Sequence, residues 1–252
     1  MKLVIENLTC AFGGFRAVDE VSFEAESGGL VGVIGPNGAG KSTLFSLITG
    51  FLAGQGGTVR LDGHDISALP PHERARAGMV RTFQVPKEFA HLTVRENLMA
   101  AAPNQSGENL VDLFLRPAAI RREESAIAAR VDDTIAFLKL GAVADVPSGK
   151  LSGGQKKLLE LGRVLMTRPK LILLDEPFAG VNPVLIEEIS GHIRALNADG
   201  IGFIIIEHDL GALSRLAGAL HVMDRGRLIA SGAPGEVLKR ANVREAYLGG
   251  AA

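Results

Sequence analysis

Short, continuous apolar runs separated by amphipathic stretches dominate the hydrophobic pattern of this chain. Runs of this length are typical of parallel strands that are buried on both faces of a sheet. They predict buried strands over 30–34, 171–174 and 203–206. Because amphipathic, helix-forming stretches lie between these runs, the pattern as a whole predicts an α/β fold.

Shorter or alternating apolar segments predict further strands on either side of a long central segment. The two strands nearest the N-terminus are joined through Gly13 and Gly14, residues that favour a turn. The predicted strands of this group cover 3–8, 18–25, 58–62, 79–83, 219–224 and 228–230. The chain is therefore expected to be rich in strands at both ends.

The central segment 86–165 is predicted to be mostly helical. Its longest helix is predicted over 123–140, where the apolar residues have the spacing of one helix face. That stripe consists of Ile127, Val131, Ile135 and Leu138. Upstream of it, Thr93 and Glu96 have the spacing of a capping box. Outside the central segment, helices are predicted over 42–49, 184–197 and 234–248.

Composition narrows the classes of protein that fit. The chain has 252 residues, 46% of them hydrophobic, and a formal net charge of −1, which indicates a folded chain with an ample core. A charge this close to neutral gives no electrostatic case for nucleic-acid binding. Cys10 is the single cysteine, so no disulfide can form within the chain. No apolar run approaches the roughly 18 residues of a membrane span, so we expect any membrane role to be peripheral.

The segment between the strand at 30–34 and the helix at 42–49 fits G-x-x-x-x-G-K-[ST], the pattern of a phosphate-binding loop. Its glycines let backbone N–H groups turn toward one anion, and the following helix N-terminus adds partial positive charge. Lys41 would reach the β- and γ-phosphates, and the Ser42 hydroxyl would coordinate Mg²⁺. The alternative is an ordinary glycine-rich turn, which the strand, loop and helix context disfavours. The predicted nucleotide contacts here are Gly35, Asn37, Gly38, Ala39, Gly40, Lys41, Ser42 and Thr43.

Charged residues follow two of the buried strands. Asp175 and Glu176 come after the run at 171–174, and His208 comes after the run at 203–206. Behind a phosphate-binding loop, an acid at a strand end can hold Mg²⁺, and the next acid is placed to polarise an attacking water. The alternative is that the two acids merely mark where the chain leaves the core. His208 could hydrogen-bond a phosphate or be structural.

Three further features are ambiguous when taken alone. Phe12 could stack on a purine or fill the core. Gln84, at the end of a predicted strand, has the character of an ordinary surface residue. The segment 151–155, Leu-Ser-Gly-Gly-Gln, opens a helix predicted to run to about residue 166. Its serine and free helix N–H groups suit an anion, although such a segment is also a common helix cap.

Taken together and in this order, these motifs resemble the nucleotide-binding subunit of ABC transporters over essentially the whole chain. The resemblance implies one ABC nucleotide-binding domain over 1–252, with a P-loop NTPase (RecA-like) core. It also implies an antiparallel β subdomain contributed by about 1–30 and 57–83. An α-helical subdomain that carries the segment 151–155 would be inserted over about 86–165.

The resemblance assigns nucleotide contacts residue by residue. Phe12 is similar to the aromatic residue that stacks on adenine, with Val18 nearby. Gln84 is similar to the glutamine that touches Mg²⁺ and the attacking water and relays to the membrane partner. The residues that would grip the γ-phosphate of a nucleotide held by another subunit are Ser152, Gly153 and Gln155.

The same resemblance implies a catalytic set in which Glu176 is the base and His208 the switch histidine. The implied catalytic residues are Lys41, Gln84, Glu176 and His208, and the implied metal ligands are Ser42, Gln84 and Asp175. One position departs from the family pattern: Asn182 stands where aspartate is usual, which weakens any claim about charge across a dimer at that loop.

Within the family, three local features are similar to the importers of branched-chain amino acids and their urea and amide relatives. They are the segments 81–84 (Arg-Thr-Phe-Gln), 207–209 (Glu-His-Asp) and 246–249 (Ala-Tyr-Leu-Gly). The implied function is ATP hydrolysis that energises uptake of branched-chain amino acids or a related small polar solute. Residues 175–181 and the C-terminus are also similar to the lipopolysaccharide-export ATPase, which is one alternative. A soluble, non-transport ABC ATPase acting as a dimer switch is another.

The implied ligands and partners follow from the family. The cofactors would be ATP and Mg²⁺. The protein partners would be transmembrane permease subunits, a second ATPase subunit in a head-to-tail dimer and, indirectly, a substrate-binding protein, with no nucleic acid. The expected location is the cytoplasmic face of the plasma membrane, as a peripheral subunit that is soluble when isolated.

Overall fold

The computed structural model describes residues 1–82, 88–103, 105–108 and 115–248. The chain divides into two compact units. The first unit combines Met1–Gln84 with Pro169–Ala252, and the second consists of Val85–Arg168. The predicted helical insert over 86–165 lies within the range of the second unit.

Two sheets hold the strands of the first unit. In chain order the strands are β1 (Lys2–Phe12), β2 (Phe15–Glu26), β3 (Leu30–Ile34), β4 (Gly56–Leu61), β5 (His64–Asp65), β6 (Met79–Arg81), β7 (Leu171–Asp175), β8 (Gly202–Ile206), β9 (Ala219–Asp224) and β10 (Arg227–Gly232). One sheet is antiparallel with the order β2-β1-β4-β5, and the other has the order β10-β9-β3-β8-β7-β6. In the second sheet all neighbouring strands are parallel except β9 and β10.

The buried strands predicted from the three apolar runs are confirmed as β3, β7 and β8. Every residue of these strands is buried, as expected for parallel strands covered on both faces. β8 lies between β3 and β7 in the sheet. Because parallel strands end at the same edge, the residues that follow these three strands come together although they are far apart in the chain.

Helices connect and cover the strands. In chain order they are α1 (Lys41–Ile48), α2 (Pro71–Arg76), α3 (Val94–Ala100), α4 (Pro117–Phe137), α5 (Gly153–Leu165), α6 (Pro183–Ala198), α7 (Leu210–Ser214), α8 (Pro234–Val237) and α9 (Ala241–Leu248). Across the described ranges, none of the helices has both the length and the apolar character that crossing a bilayer requires.

The predicted β-subdomain range 57–83 extends too far. β6 pairs in parallel with β7, with Met79 opposite Leu171, so it belongs to the sheet that contains β3. The antiparallel sheet ends with β5 at Asp65. Helix α2 separates the two strands, and only the first part of the predicted range contributes to the antiparallel sheet.

The described helices of the second unit are α3, α4 and α5. The capping box predicted at Thr93 and Glu96 is confirmed: Thr93 Oγ1 accepts the Glu96 N–H, and the Glu96 carboxylate accepts the Thr93 N–H. α4 begins at Pro117, earlier than predicted, because proline is well suited to the first turn of a helix. The predicted apolar stripe of α4 is buried at Ile127, Val131, Ile135 and Leu138.

The segment 234–248, predicted to be helical, is helical over most of its length but is interrupted. The segment forms α8 and α9, with a turn between them that includes Leu238. The Asn242 side chain donates from Nδ2 to the Ile229 carbonyl and accepts the Val243 N–H at Oδ1. The first of these bonds ties the N-terminal turn of α9 to β10.

Candidate functional site

The loop between β3 and α1 requires glycine at two positions. A Cβ on Gly35, where φ is 153°, would lie 2.1 Å from the Met223 carbonyl oxygen. A Cβ on Gly40, where φ is 99°, would lie 2.0 Å from the Ala17 carbonyl oxygen. Both distances are far too short, so the loop can pass this close to its neighbours only without side chains. At Gly38, by contrast, a Cβ would meet no atom within 4 Å, so the loop is open on that side.

Lys41 is folded back onto this loop. Its Nζ donates to the carbonyl oxygens of Gly35 at 2.9 Å and Pro36 at 3.0 Å. The side chain is buried, and burial lowers the pKa of Lys41 while the charges of Glu176 and Asp175 oppose that shift. Lys41 forms no ion pair within the described residues, so its charge is held next to the loop with only carbonyl partners.

Asp175, the last residue of β7, is half satisfied. Its Oδ2 accepts from Nη2 of Arg81 at 2.7 Å, and both side chains are buried. Its Oδ1 is buried and, within the described residues, has no hydrogen-bond partner. A carboxylate oxygen in this state fits the ligand of a cation, because a buried acceptor is costly to leave unpaired. Arg81 is a site residue that the sequence interpretation did not single out.

Glu176 and His208 are in direct contact. Nε2 of His208 lies 2.7 Å from Oε1 of Glu176. Glu176 has a φ of 50°, a left-handed conformation that is unfavourable for residues other than glycine. Its N–H donates to the Ile206 carbonyl at 2.9 Å, which ties the end of β7 to the end of β8. The two residues predicted to act on the phosphates therefore meet at one edge of the sheet.

A cavity of about 350 Å³ joins the loop to these side chains. It is open on one side and large enough for part of a nucleotide. Its lining consists of Phe12, Phe15, Ala17, Asn37, Gly38, Ala39, Gly40, Lys41, Ser42, Thr43, Glu176 and His208. The structure thus brings the phosphate-binding loop together with Phe12, Glu176 and His208 in a single cavity.

Phe15 lines the cavity although the sequence interpretation passed over it. Phe12 and Phe15 are paired across the hairpin between β1 and β2, and both rings are more than half exposed. Gly13 and Gly14 between them both have positive φ, as two-residue hairpin turns require. The sequence does contain a sign of this role, because Phe15 is a second aromatic residue three positions after Phe12.

Val18, predicted to lie close to the adenine, does not line the cavity. It is completely buried in the hydrophobic core, whereas its neighbour Ala17 faces the cavity. Gly35 and Asp175 are also absent from the lining, Gly35 because it is packed against Met223 and Asp175 because it is paired with Arg81. Gln84 lies outside the described residues, so its predicted contacts stay predictions.

The segment 151–155 lies in the second unit, where it forms a complete helix cap. The Gln155 N–H donates to Oγ of Ser152 at 3.3 Å, and the Ser152 N–H donates to Oε1 of Gln155 at 3.0 Å. Gly153 is the first residue of α5, and a Cβ added to it would meet no atom within 4 Å. The N–H groups of a first helical turn have no partner within their own helix. The predicted phosphate contacts of Ser152, Gly153 and Gln155 stay predictions.

The donor set fits a triphosphate with a divalent cation. The loop offers backbone N–H groups, the N-terminus of α1 and a buried lysine, which suit phosphate oxygens. The Ser42 hydroxyl lines the cavity, and the Oδ1 of Asp175, without a partner among the described residues, is the kind of hard oxygen ligand that Mg²⁺ prefers. Within the described residues, no group of three or more His, Cys, Asp or Glu side chains could hold a metal alone.

Comparison with known families agrees with this geometry. A family model described as ABC transporter matches residues 18–179, which is more than half of the chain. A second model, described as branched-chain amino acid ATP-binding cassette transporter, matches residues 227–252.

Individual relatives are similar over nearly their whole length. The chain is 42% identical to the probable branched-chain amino acid transport ATP-binding protein LivG of Methanocaldococcus jannaschii, over 97% of this chain and 96% of that protein. It is 36% identical to the lipopolysaccharide export system ATP-binding protein LptB of Escherichia coli, over 98% and 97%.

A solved structure shows the same fold. The ADP conformation of MJ1267, an ATP-binding cassette of an ABC transporter, is 41% identical, covers 99% of both chains and has a TM-score of 0.85. The ATP-binding proteins of this family are ATPases. The family match, the relatives and the cavity built around the phosphate-binding loop show that this chain belongs to the ABC transporter family as one of its ATP-binding subunits.

Proposed function

We propose that this chain hydrolyses ATP to drive uptake of branched-chain amino acids, or of a related small polar solute, through an ABC transporter. The observation that carries the chemistry is the 2.7 Å contact between Glu176 and His208 at the wall of the cavity that holds the phosphate-binding loop. The match of residues 227–252 to a branched-chain amino acid transporter model supports the choice of substrate class. The 42% identity to LivG against 36% to LptB favours import over lipopolysaccharide export.

The residues of the cavity divide the hydrolytic step between them. The loop N–H groups and Lys41 bind the β- and γ-phosphates, which requires Lys41 to exchange its carbonyl partners for phosphate oxygens. Glu176 orients the attacking water and accepts its proton, and His208 holds both Glu176 and the γ-phosphate. Mg²⁺, held by Ser42, Asp175 and Gln84, would offset the charge that develops on the phosphates. Phosphoryl transfer of this kind depends on positioning and charge more than on covalent catalysis.

A second ATPase subunit completes the proposed site. Ser152, Gly153 and Gln155 are in the second unit and outside the lining of the cavity. We infer that they clasp the γ-phosphate of a nucleotide bound to another subunit in a head-to-tail pair. ATP then stabilises the closed pair, and loss of the γ-phosphate releases it. The partner is a second copy of this chain or a similar ATPase.

The remaining partners follow from the transport role. Permease subunits would convert closing and opening of the ATPase pair into alternating access, and a substrate-binding protein would deliver the solute. The chain would lie at the cytoplasmic face of the plasma membrane, bound to the permease.

The test is Glu176→Gln, with Glu236→Gln as the matched control because Glu236 is an exposed acid outside the cavity. We expect Glu176→Gln to bind ATP as tightly as the wild type and to hydrolyse it at least about 100-fold more slowly, because a general base is lost. With ATP it should accumulate as a dimer in light-scattering measurements. Hydrolysis at the wild-type rate by this variant would refute the role of Glu176.

Substrate class is tested separately. Vesicles that contain the ATPase and its co-purified permease subunits should take up labelled leucine or valine only when ATP is supplied on the side of the membrane that carries the ATPase. Transport of urea instead would move the assignment to a related solute. Extraction of lipopolysaccharide without amino-acid uptake would favour the export alternative.

A further inference from the structure

Glu207, the residue after β8, is a buried carboxylate that the proposed mechanism does not use. It is only 3% exposed and forms no ion pair in the described part of the chain. Burial raises the pKa of Glu207, the backbone N–H groups it accepts oppose that shift, and the charge of Glu176 adds to it. A buried acid without a cationic partner is costly, so its hydrogen bonds must be specific.

The two oxygens of Glu207 bind two different segments. Oε1 accepts the Phe178 N–H at 2.6 Å, and Oε2 accepts the His208 N–H at 2.9 Å and the Asp209 N–H at 3.4 Å. Phe178 lies two residues beyond Glu176, on the segment that leaves β7. The carboxylate therefore links the backbone that carries the acid to the backbone that carries the histidine.

Glu176 needs this support because of its conformation. A left-handed φ of 50° is unfavourable in a residue with a side chain, and it persists only where the surroundings fix it. One restraint is the hydrogen bond from the Glu176 N–H to Ile206. The second is the bond from Phe178 to Glu207, which holds the other side of the turn.

We propose that Glu207 is a positioning residue for hydrolysis, which sets the distance between Glu176 and His208 by holding the backbone of both. The proposal rests on the roles proposed above for Glu176 and His208. A neutral glutamine at this position would present one oxygen and one NH₂ group, and the NH₂ would face an N–H donor. One of the two segments would lose its acceptor, and the 2.7 Å contact would open.

The test compares Glu207→Gln with Glu207→Asp and with the control Glu236→Gln. We expect Glu207→Gln to lower kcat about 10- to 100-fold, while KM and Kd for ATP stay within about 2-fold, because the phosphate-binding loop is untouched. Glu207→Asp keeps the negative charge, but its shorter side chain reaches one of the two segments less well. We therefore expect its kcat to lie between those of the wild type and Glu207→Gln. A wild-type kcat in both variants, or equal losses in kcat and ATP affinity, would overturn the proposal.

A double variant separates positioning from a merely structural role. In single-turnover hydrolysis, Glu207→Gln should cause a smaller loss in the Glu176→Gln background than in the wild type, because part of its effect passes through the Glu176 side chain. Multiplicative losses would overturn the proposal. If Glu207→Gln does not fold, the same comparison is made with Glu207→Asp.

A spectroscopic measurement on the folded proteins gives a second readout. The wild-type Phe178 amide proton should resonate far downfield, as amide protons in short hydrogen bonds to carboxylates do. Glu207→Asp should move this resonance upfield. An unshifted Phe178 amide in the wild type would overturn the proposal. Failure of the positioning role of Glu207 can be told apart from failure of the proposed function. Normal turnover by Glu176→Gln refutes the catalytic assignment, whereas normal turnover by the Glu207 variants alone refutes only the positioning role.

Discussion

Arg74 offers a quantitative test of how the phosphate-binding helix is held in place. The residue is 2% exposed, and its guanidinium donates to the carbonyl oxygens of Leu47, Ile48, Leu69 and Ser67 at 2.6–2.9 Å. Two of these carbonyls, those of Leu47 and Ile48, lie at the end of α1 beyond the reach of intrahelical donors, and the Leu47 carbonyl also accepts the Gly50 N–H at 3.2 Å. The positive charge also lies at the negative end of the helix dipole.

Replacing Arg74 with methionine keeps most of the volume and removes every one of these donors. Each buried carbonyl left without a partner costs about 1–3 kcal/mol, but the wild type also carries the penalty of burying a charge, since burial lowers the pKa of Arg74. Relaxation and entry of water recover part of the loss. We therefore expect a net decrease of about 3–5 kcal/mol in the free energy of unfolding, because several buried carbonyls lose their donor at once.

Urea unfolding followed by circular dichroism measures this decrease. The matched control is Arg76→Met, which removes an exposed arginine from the same helix and should change stability by less than about 0.5 kcal/mol. The slope of the transition should be equal in the three proteins, so that the shift in midpoint reports stability. A decrease below about 1 kcal/mol in Arg74→Met, or equal decreases in both variants, would refute the capping argument.

Two further predictions concern the aromatic residues. Burial raises the pKa of Tyr247 to about 12, and because the chain has one tyrosine and no tryptophan, its phenolate absorbance can be titrated directly. As the pH rises, the unfolded chain releases this proton first, near pH 10. The contribution of Tyr247 to the free energy of unfolding is therefore fully present below about pH 10 and falls toward pH 12. A titration midpoint near pH 10 for the phenolate of the folded protein would contradict this. Phe15→Leu should weaken ATP binding by about 5- to 30-fold in calorimetry, the worth of one aromatic stacking contact. Phe51→Leu, an exposed phenylalanine outside the cavity, is the control, and equal effects would exclude Phe15 from the nucleotide site.

The position of the phosphate-binding loop could be predicted because its constraints are local. The strand, the glycines and the helix follow one another directly, and the glycines occupy the two places where a Cβ would strike a carbonyl oxygen. No long-range information is needed to recognise such a segment. The same holds for the capping boxes at Thr93 and Ser152, where the sequence spacing is the interaction itself.

Local patterns could not predict that Ala17 and Phe15, and not Val18, line the cavity. A strand normally alternates its faces, but Ala17, Val18 and Asp19 are all buried in succession. The pairing of β1 with β2 shifts register at three points, including the step after Cys10. Each irregularity changes which side chain faces the nucleotide cavity, and the sequence carries no sign of it.

The partners of Asp175 and the placement of β6 depend on contacts between distant parts of the chain. Arg81 and Asp175 are 94 positions apart, and they meet because β6 and β7 pair in parallel. A strand of only three residues contains no information on which sheet it joins. The acid at 175 could therefore be identified as a ligand candidate, but its half-satisfied state required the structure.

The acids at the ends of β7 and β8 perform separate tasks in the structure. Asp175 is neutralised by Arg81, Glu207 is held by backbone N–H groups, and Asp209 caps α7 through the Ala212 N–H. Glu176 alone among them lines the cavity, facing the loop that carries Lys41. Lys41 is thus the main counter-charge available to an incoming triphosphate, and the charge of Glu176 already acts on it. A polyanion that enters beside this carboxylate needs additional positive charge, which is the physical reason to expect a divalent cation to enter together with ATP.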